Sequence, residues 1–141
     1  MGTSYAQVYN RFLQKITDYK LLQLADDDIQ QLLHGYLVSA ITKFKKCKSD
    51  LSKRDDDIAE FEEELLDIEI EILALQMVSE WVTPQLNNVL YTKQFVGTNE
   101  EKFFAQSNHL DKLMALQKDS ADQSRRLRRD YSFQNTTYFD R

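Results

Sequence analysis

Between Ile29 and Phe44 the apolar residues are spaced as one face of a helix. Ile29, Leu32, Leu33, Tyr36, Leu37, Ala40, Ile41 and Phe44 keep the i, i+3, i+4 pattern throughout, and a stripe of this period can be buried only as a helix. Asp26, Asp27 and Asp28 supply an N-cap and first-turn acids, and Lys43, Lys45, Lys46 and Lys48 supply cations where the helix should end. Gly35 lies inside the stripe at a cost of about 1 kcal/mol relative to Ala, and its missing side chain would permit close approach of a neighbouring helix. Tyr5, Val8, Tyr9, Phe12, Leu13 and Ile16 form an earlier stripe of the same kind, opened by a Ser4–Gln7 capping box. Three Gly and one Pro in 141 residues leave too little turn material for an all-β chain.

The third long helix is expected near Asp67. Ile68, Ile72, Leu75 and Ser79 form one stripe, and Ile70, Leu73, Met77 and Trp81 another. A helix apolar on two sides is central and buried on both. Pro84 should end or kink it, with Leu86, Val89 and Leu90 marking a resumption. Asp55-Asp56-Asp57-Ile58 echoes Asp26-Asp27-Asp28-Ile29 and predicts a short helix in the 48–66 stretch. A turn at Phe95-Val96-Gly97 and a Thr98–Glu101 capping box introduce the last helix, anchored by Phe103, Leu110, Leu113, Met114 and Leu116. From Gln117 to Asp130 only Ala121 and Leu127 are apolar, so this half should project or lie lightly on the bundle. The expected architecture is all-α: a bundle of about four main helices over residues 1–116, with a projecting helix and extended tail over 117–141.

A net charge of −5 argues against a generic polyanion binder. The charge is unevenly placed, however. Residues 55–71 hold ten acids and no base, against the lysines of 43–48 and the arginines of 125–129. Each patch could meet an opposite patch on a neighbour, although solvated helix ends are the plainer reading of the lysines. The single cysteine, Cys47, has no partner for a disulfide and fits a reducing compartment. The N-terminal stretch lacks the apolar core of a signal peptide, and no apolar run reaches the ~18 residues of a membrane span.

Nothing in the chain reads as an active site. The acid triplets lack the alternation and central Gly of a calcium loop, and helix capping explains them better. His34, His109 and Cys47 share no zinc-ligand spacing and read as imidazoles and a thiol at the core's edge. Glu60 with Glu64, and Glu63 with Asp67, share helix faces, but no His, Ser or Lys stands at a helpful spacing. Neither catalytic residues, metal nor cofactor is expected.

The C-terminal end is different. Arg125, Arg126, Arg128 and Arg129 close the last helical stretch, and Tyr131, Phe133, Tyr138 and Phe139 follow in a segment without evident period. Aromatic side chains bring large contact area at modest entropic cost. The four arginines spread around more than half a helix, whereas a single DNA groove would use one side, so a protein partner is the favoured reading, nucleic acid the alternative, and a merely solvated helix end the plain reading close behind them. On this reading, deleting 131–141 should abolish docking and leave the bundle folded.

Several strings resemble a known family when taken in order. They are Tyr9-Asn10-Arg11-Phe12-Leu13 with Lys15-Ile16-Thr17-Asp18-Tyr19, Lys43-Phe44 with Lys46-Cys47, Glu69-Ile70-Glu71-Ile72-Leu73-Ala74, Glu80-Trp81 with Pro84-Gln85, and Ser107-Asn108-His109-Leu110. Across residues 5–131 the chain resembles the head–tail connector, or head-completion adaptor, proteins of tailed phages infecting Gram-positive bacteria. The resemblance implies a virion neck subunit, present in the host cytoplasm during assembly. Such subunits form a ring, typically twelvefold, beneath the portal protein. The ring extends the DNA channel without sequence-specific contact and carries the next neck protein, a stopper or tail-completion protein. It also implies portal docking through the C-terminal helix and tail. Lateral ring contacts would then join Lys43, Lys45, Lys46 and Lys48 to Asp55, Asp56, Asp57 and Glu60.

Overall fold

The computed structural model describes residues 2–16, 25–95 and 100–134, with side chains described outside 88–110 and 133–134. The fold is an all-α bundle with a small sheet on one side. In chain order the elements are β1 (Thr3–Ser4), α1 (Tyr5–Lys15), α2 (Asp26–Lys43), β2 (Arg54–Asp55), β3 (Glu60–Phe61), α3 (Asp67–Phe95) and α4 (Glu100–Gln134). α3 is the central helix and packs against α1, α2 and α4.

α1 forms where its stripe predicts, and Ser4 caps it by accepting the Ala6 N–H at 3.2 Å. Tyr5, Val8, Tyr9 and Phe12 are buried on its inner face, while Leu13 is 39% exposed. Arg11 and Lys15 pair with Glu71 across the α1–α3 contact. α2 buries Leu33, Leu37 and Ala40. Its N-cap is Ala25, with no side-chain cap, so the three aspartates serve as first-turn acids facing the helix dipole. Gly35 is exposed, and a Cβ there would meet nothing within 4 Å. No described residue uses the close approach that a glycine permits, and Gly35 only loosens the helix. Gly35→Ala should raise the unfolding free energy by about 0.5–1 kcal/mol in urea titrations.

α3 runs through Pro84 without ending. Proline cannot donate to the carbonyl one turn back. Side chains bond the carbonyls on either side of that gap: the Thr83 hydroxyl donates to Ser79 O at 2.8 Å and Gln85 Nε2 to Trp81 O at 3.2 Å. Ile70, Ile72, Leu73, Ala74, Leu75, Met77, Val78, Trp81 and Val82 are all buried. Burial on nearly every side is what the two stripes of this helix predict.

The 48–66 stretch departs from expectation. Its aspartates do not cap a helix. Asp55 ends β2, and residues 56–59 turn the chain back into β3. The sheet order is β1-β3-β2, antiparallel throughout, with Thr3 and Arg54 both opposite Phe61. Ala59 takes a left-handed φ of 54°, which turns its carbonyl to accept the Tyr5 N–H at 2.9 Å. Such backbone costs a non-glycine residue roughly 1 kcal/mol, and no sequence period announces it. At the sheet's other edge, a Cβ on Gly2 would lie 1.5 Å from Phe61 O, so only glycine fits there.

The sharpest departure is at the C-terminus. α4 continues to Gln134, and Tyr131 is 1% exposed and belongs to the main core. Residues 117–132 therefore neither project nor form a separate unit. Successive helical residues are about 100° apart, which places Leu113, Ser120, Ser124, Leu127 and Tyr131 on one stripe facing the bundle. Leu113, Ser120, Ser124 and Tyr131 are buried and Leu127 half-buried. The two serines have small side chains that allow α4 to lie close to its neighbours, a role the count of apolar residues does not register. Val96 and Gly97 of the expected turn, Thr98 of the expected capping box, and the side chains of Phe95, Glu101, Phe103, His109 and Leu110 lie outside what the structure describes.

Candidate docking surface

The outer face of α4 is defined by what holds its inner face. Glu69, in the first turn of α3, is 0% exposed and forms no ion pair among the described residues. It accepts the Leu66 N–H at 2.8 Å, the Tyr131 hydroxyl at 2.8 Å, the Ser49 hydroxyl at 3.0 Å, the Cys47 thiol at 3.1 Å and the Ser49 N–H at 3.4 Å. The Leu66 bond is the reach-back half of a capping box, made by a glutamate at the third helical position. The Tyr131 hydroxyl in turn accepts the Lys48 N–H at 2.6 Å, and its ring meets Phe44 edge-on at 5.5 Å. One carboxylate thus joins the loop after α2, the start of α3 and the last turns of α4.

Burial alone would raise the Glu69 pKa. The donors from Leu66, Cys47, Tyr131 and Ser49 overcome that and hold it below the usual carboxylate range. Glu71 is lowered in the same way, its burial offset by Lys15 and Arg11. A carboxylate with a depressed folded-state pKa stabilises the fold above its unfolded pKa, and that stability is lost as pH falls through the folded value. Unfolding free energy should therefore hold from neutral pH down to about 5 and fall below the ordinary glutamate value of 4.5, as read by urea titration across pH. The Cys47 thiol is pushed up to about 12 by burial and by Glu69, so it is a hydrogen-bond donor and a poor nucleophile at neutral pH.

With Tyr131 turned inward, Arg125, Arg126 and Arg129 point away from the bundle and are exposed. Arg125 pairs with Asp122 at 2.7 Å but stays 67% exposed. Arg128 lies on the flank, half-buried, with Nε 3.3 Å from Ser124 O. The arginines thus divide into three on one outward face and one beside the seam. Tyr131 is not available to a partner without unfolding the end of α4, and so it is removed from the candidate docking residues. Phe133 is in the final turn of α4, with its side chain outside the described set. Tyr138 and Phe139 lie outside the described residues altogether.

The two charged clusters expected at lateral contacts are partly committed within the chain. Lys43 pairs with Glu80. Asp56 accepts from the Tyr5 hydroxyl at 2.5 Å, lies 3.1 Å from His34 Nε2 and 3.6 Å from Arg54 Nε, and so pins the sheet to α1 and α2. The His34 ring stacks on Tyr5 at 5.8 Å. Asp55 accepts the Asp57 N–H at 2.9 Å. Lys45, Lys46, Lys48, Asp57 and Glu60 are exposed. Among the described residues no three His, Cys, Asp or Glu side chains are grouped to hold a metal ion, and no helix is long and apolar enough to cross a membrane. Comparison with protein-family models, curated proteins and solved structures returns no match.

Proposed function

We propose that this chain is a structural subunit of a tailed-phage neck. It would act by binding, without turnover, as an adaptor that forms a ring beneath the portal, connects capsid to tail and extends the DNA channel. The resemblance of several strings to head–tail connectors supports this reading. The observation that carries it is the arrangement of α4: Arg125, Arg126 and Arg129 share an outward face of a helix whose opposite face is fixed to the core through Tyr131 and Glu69. A charged face on a rigid element recognises a partner without first ordering itself, which lowers the entropic cost of association. An acidic portal surface is the partner proposed for that face.

The test is binding to the portal ring of the same phage. Wild type should bind in ring stoichiometry. Arg125→Glu/Arg126→Glu/Arg129→Glu should bind at least about tenfold more weakly while melting at the same temperature. Unchanged binding by the triple variant would contradict the arginine face. Salt-sensitive DNA binding in place of portal binding would favour a nucleic-acid-binding regulator.

A further inference from the structure

Two basic clusters that are far apart in the sequence meet in the fold. The Lys48 N–H donates to the Tyr131 hydroxyl at 2.6 Å, a bond between residues 83 apart in the chain. The Tyr131 ring meets Phe44 edge-on, and Glu69 accepts from both the Tyr131 and the Ser49 hydroxyls. Residues 44–49 are thus held against the last turns of α4. That segment carries Lys45, Lys46 and Lys48, all exposed and, among the described residues, without an ion pair.

The arginines continue from this contact around α4. At about 100° per residue, Arg128, Arg125 and Arg129 stand roughly 60°, 120° and 160° from Tyr131 on the same side of the helix. Their burial follows that order. Tyr131 is buried, Arg128 half-buried, and Arg125 and Arg129 exposed. Arg128 therefore bridges the seam, where the lysines lie, and the outward arginines. Arg128 and Arg129 have no ion pair among the described residues, and Arg125 stays 67% exposed beside Asp122.

The geometry points to one composite docking face that takes a single acidic protein segment, running from Lys45, Lys46 and Lys48 past Arg128 to Arg125 and Arg129. No large hydrophobic side chain is exposed in 44–49 or 120–131, so the partner is held through charge and must bring carboxylates. A nucleic acid fits less well. The chain carries a net −5, and exposed Asp50 and Asp130 interrupt the face, so a long polyanion would run on over like charge. The aromatic rings at the contact, Phe44 and Tyr131, are buried and give a base nothing to stack on. A short acidic segment meets the cations alone. This inference rests on the docking reading of α4 and extends its face to a second element. It assigns the three lysines to docking and not to a lateral contact with residues 55–60.

The experiment is calorimetric titration of the full chain at low salt with a peptide of about eight glutamates, which spans up to roughly 28 Å when extended. Duplex DNA of random sequence and matched charge is titrated in parallel. Wild type should bind one peptide per chain, and high salt should abolish the binding. Lys45→Gln/Lys46→Gln/Lys48→Gln and Arg125→Gln/Arg129→Gln should each weaken it by about fivefold or more. Circular dichroism melting checks that both variants fold, and Arg128 is left in place because it is half-buried. Absence of peptide binding would overturn the inference, as would unchanged binding by the lysine variant. Two peptides per chain would show two separate patches and overturn it as well, and so would tighter binding of the duplex. No portal is present, so a failure here is distinct from a failure of the portal reading.

Discussion

Glu69→Leu should lower the unfolding free energy by about 3–5 kcal/mol in urea titrations at neutral pH, a large part of the ~5–15 kcal/mol available to a domain. Leucine is close in size, so the loss is not one of packing. It arises because the donors of Leu66, Ser49, Cys47 and Tyr131 converge on a single buried carboxylate. Removing that acceptor strands buried donors, each costing roughly 1–3 kcal/mol where no other partner is in reach. Glu69→Gln keeps one acceptor oxygen and should lose less. A change below about 1 kcal/mol in Glu69→Leu would show that the hub contributes little beyond its shape.

Ending the chain after Asp130 should destabilise it by a further large amount, about 3–5 kcal/mol, because the cut removes the buried Tyr131 ring together with its bonds to Glu69 and Lys48. Ending it after Gln134 keeps all of these and should leave stability within about 0.5 kcal/mol of wild type. The pair of truncations separates two roles that the sequence merges. Loss of portal binding after a cut at 130 would reflect an unfolding C-terminal helix as much as a missing contact. The cut at 134 removes Tyr138 and Phe139 alone with their neighbours and tests docking by the tail. Equal stability of the two truncated chains would contradict the placement of Tyr131 in the core.

The parts of the fold that were legible in the sequence are those with a long, strong period. The stripes from Tyr5 and from Ile29 gave α1 and α2, and the double stripe after Asp67 gave a central helix. The sheet was illegible for physical reasons. Two-residue strands carry no alternation to count, and the turn depends on a left-handed alanine that local sequence does not favour. Asp55-Asp56-Asp57 resembles a helix start because capping and turn formation use the same short acids. The seam of α4 was present as spacings of three and four from Leu113 to Tyr131, but two of its positions are serines and were counted as polar. That undercount turned a core helix into an expected arm, and Tyr131 into an expected docking residue. Glu69 was the functional anchor most thoroughly hidden. As a first-turn acid it fits the helix dipole, and nothing local shows that three distant residues, Cys47, Ser49 and Tyr131, donate to it.

The claim on which the rest depends is that α4 is fixed to the bundle through its final turns, so that its arginines form a rigid outward face. Native-state amide hydrogen exchange across residues 124–131 measures this directly. Protection approaching that of the buried turns of α3, lost together in Glu69→Leu, is the predicted result. Exchange near unfolded-chain rates in 124–131 while α3 stays protected would contradict it, and would restore the picture of a free arm.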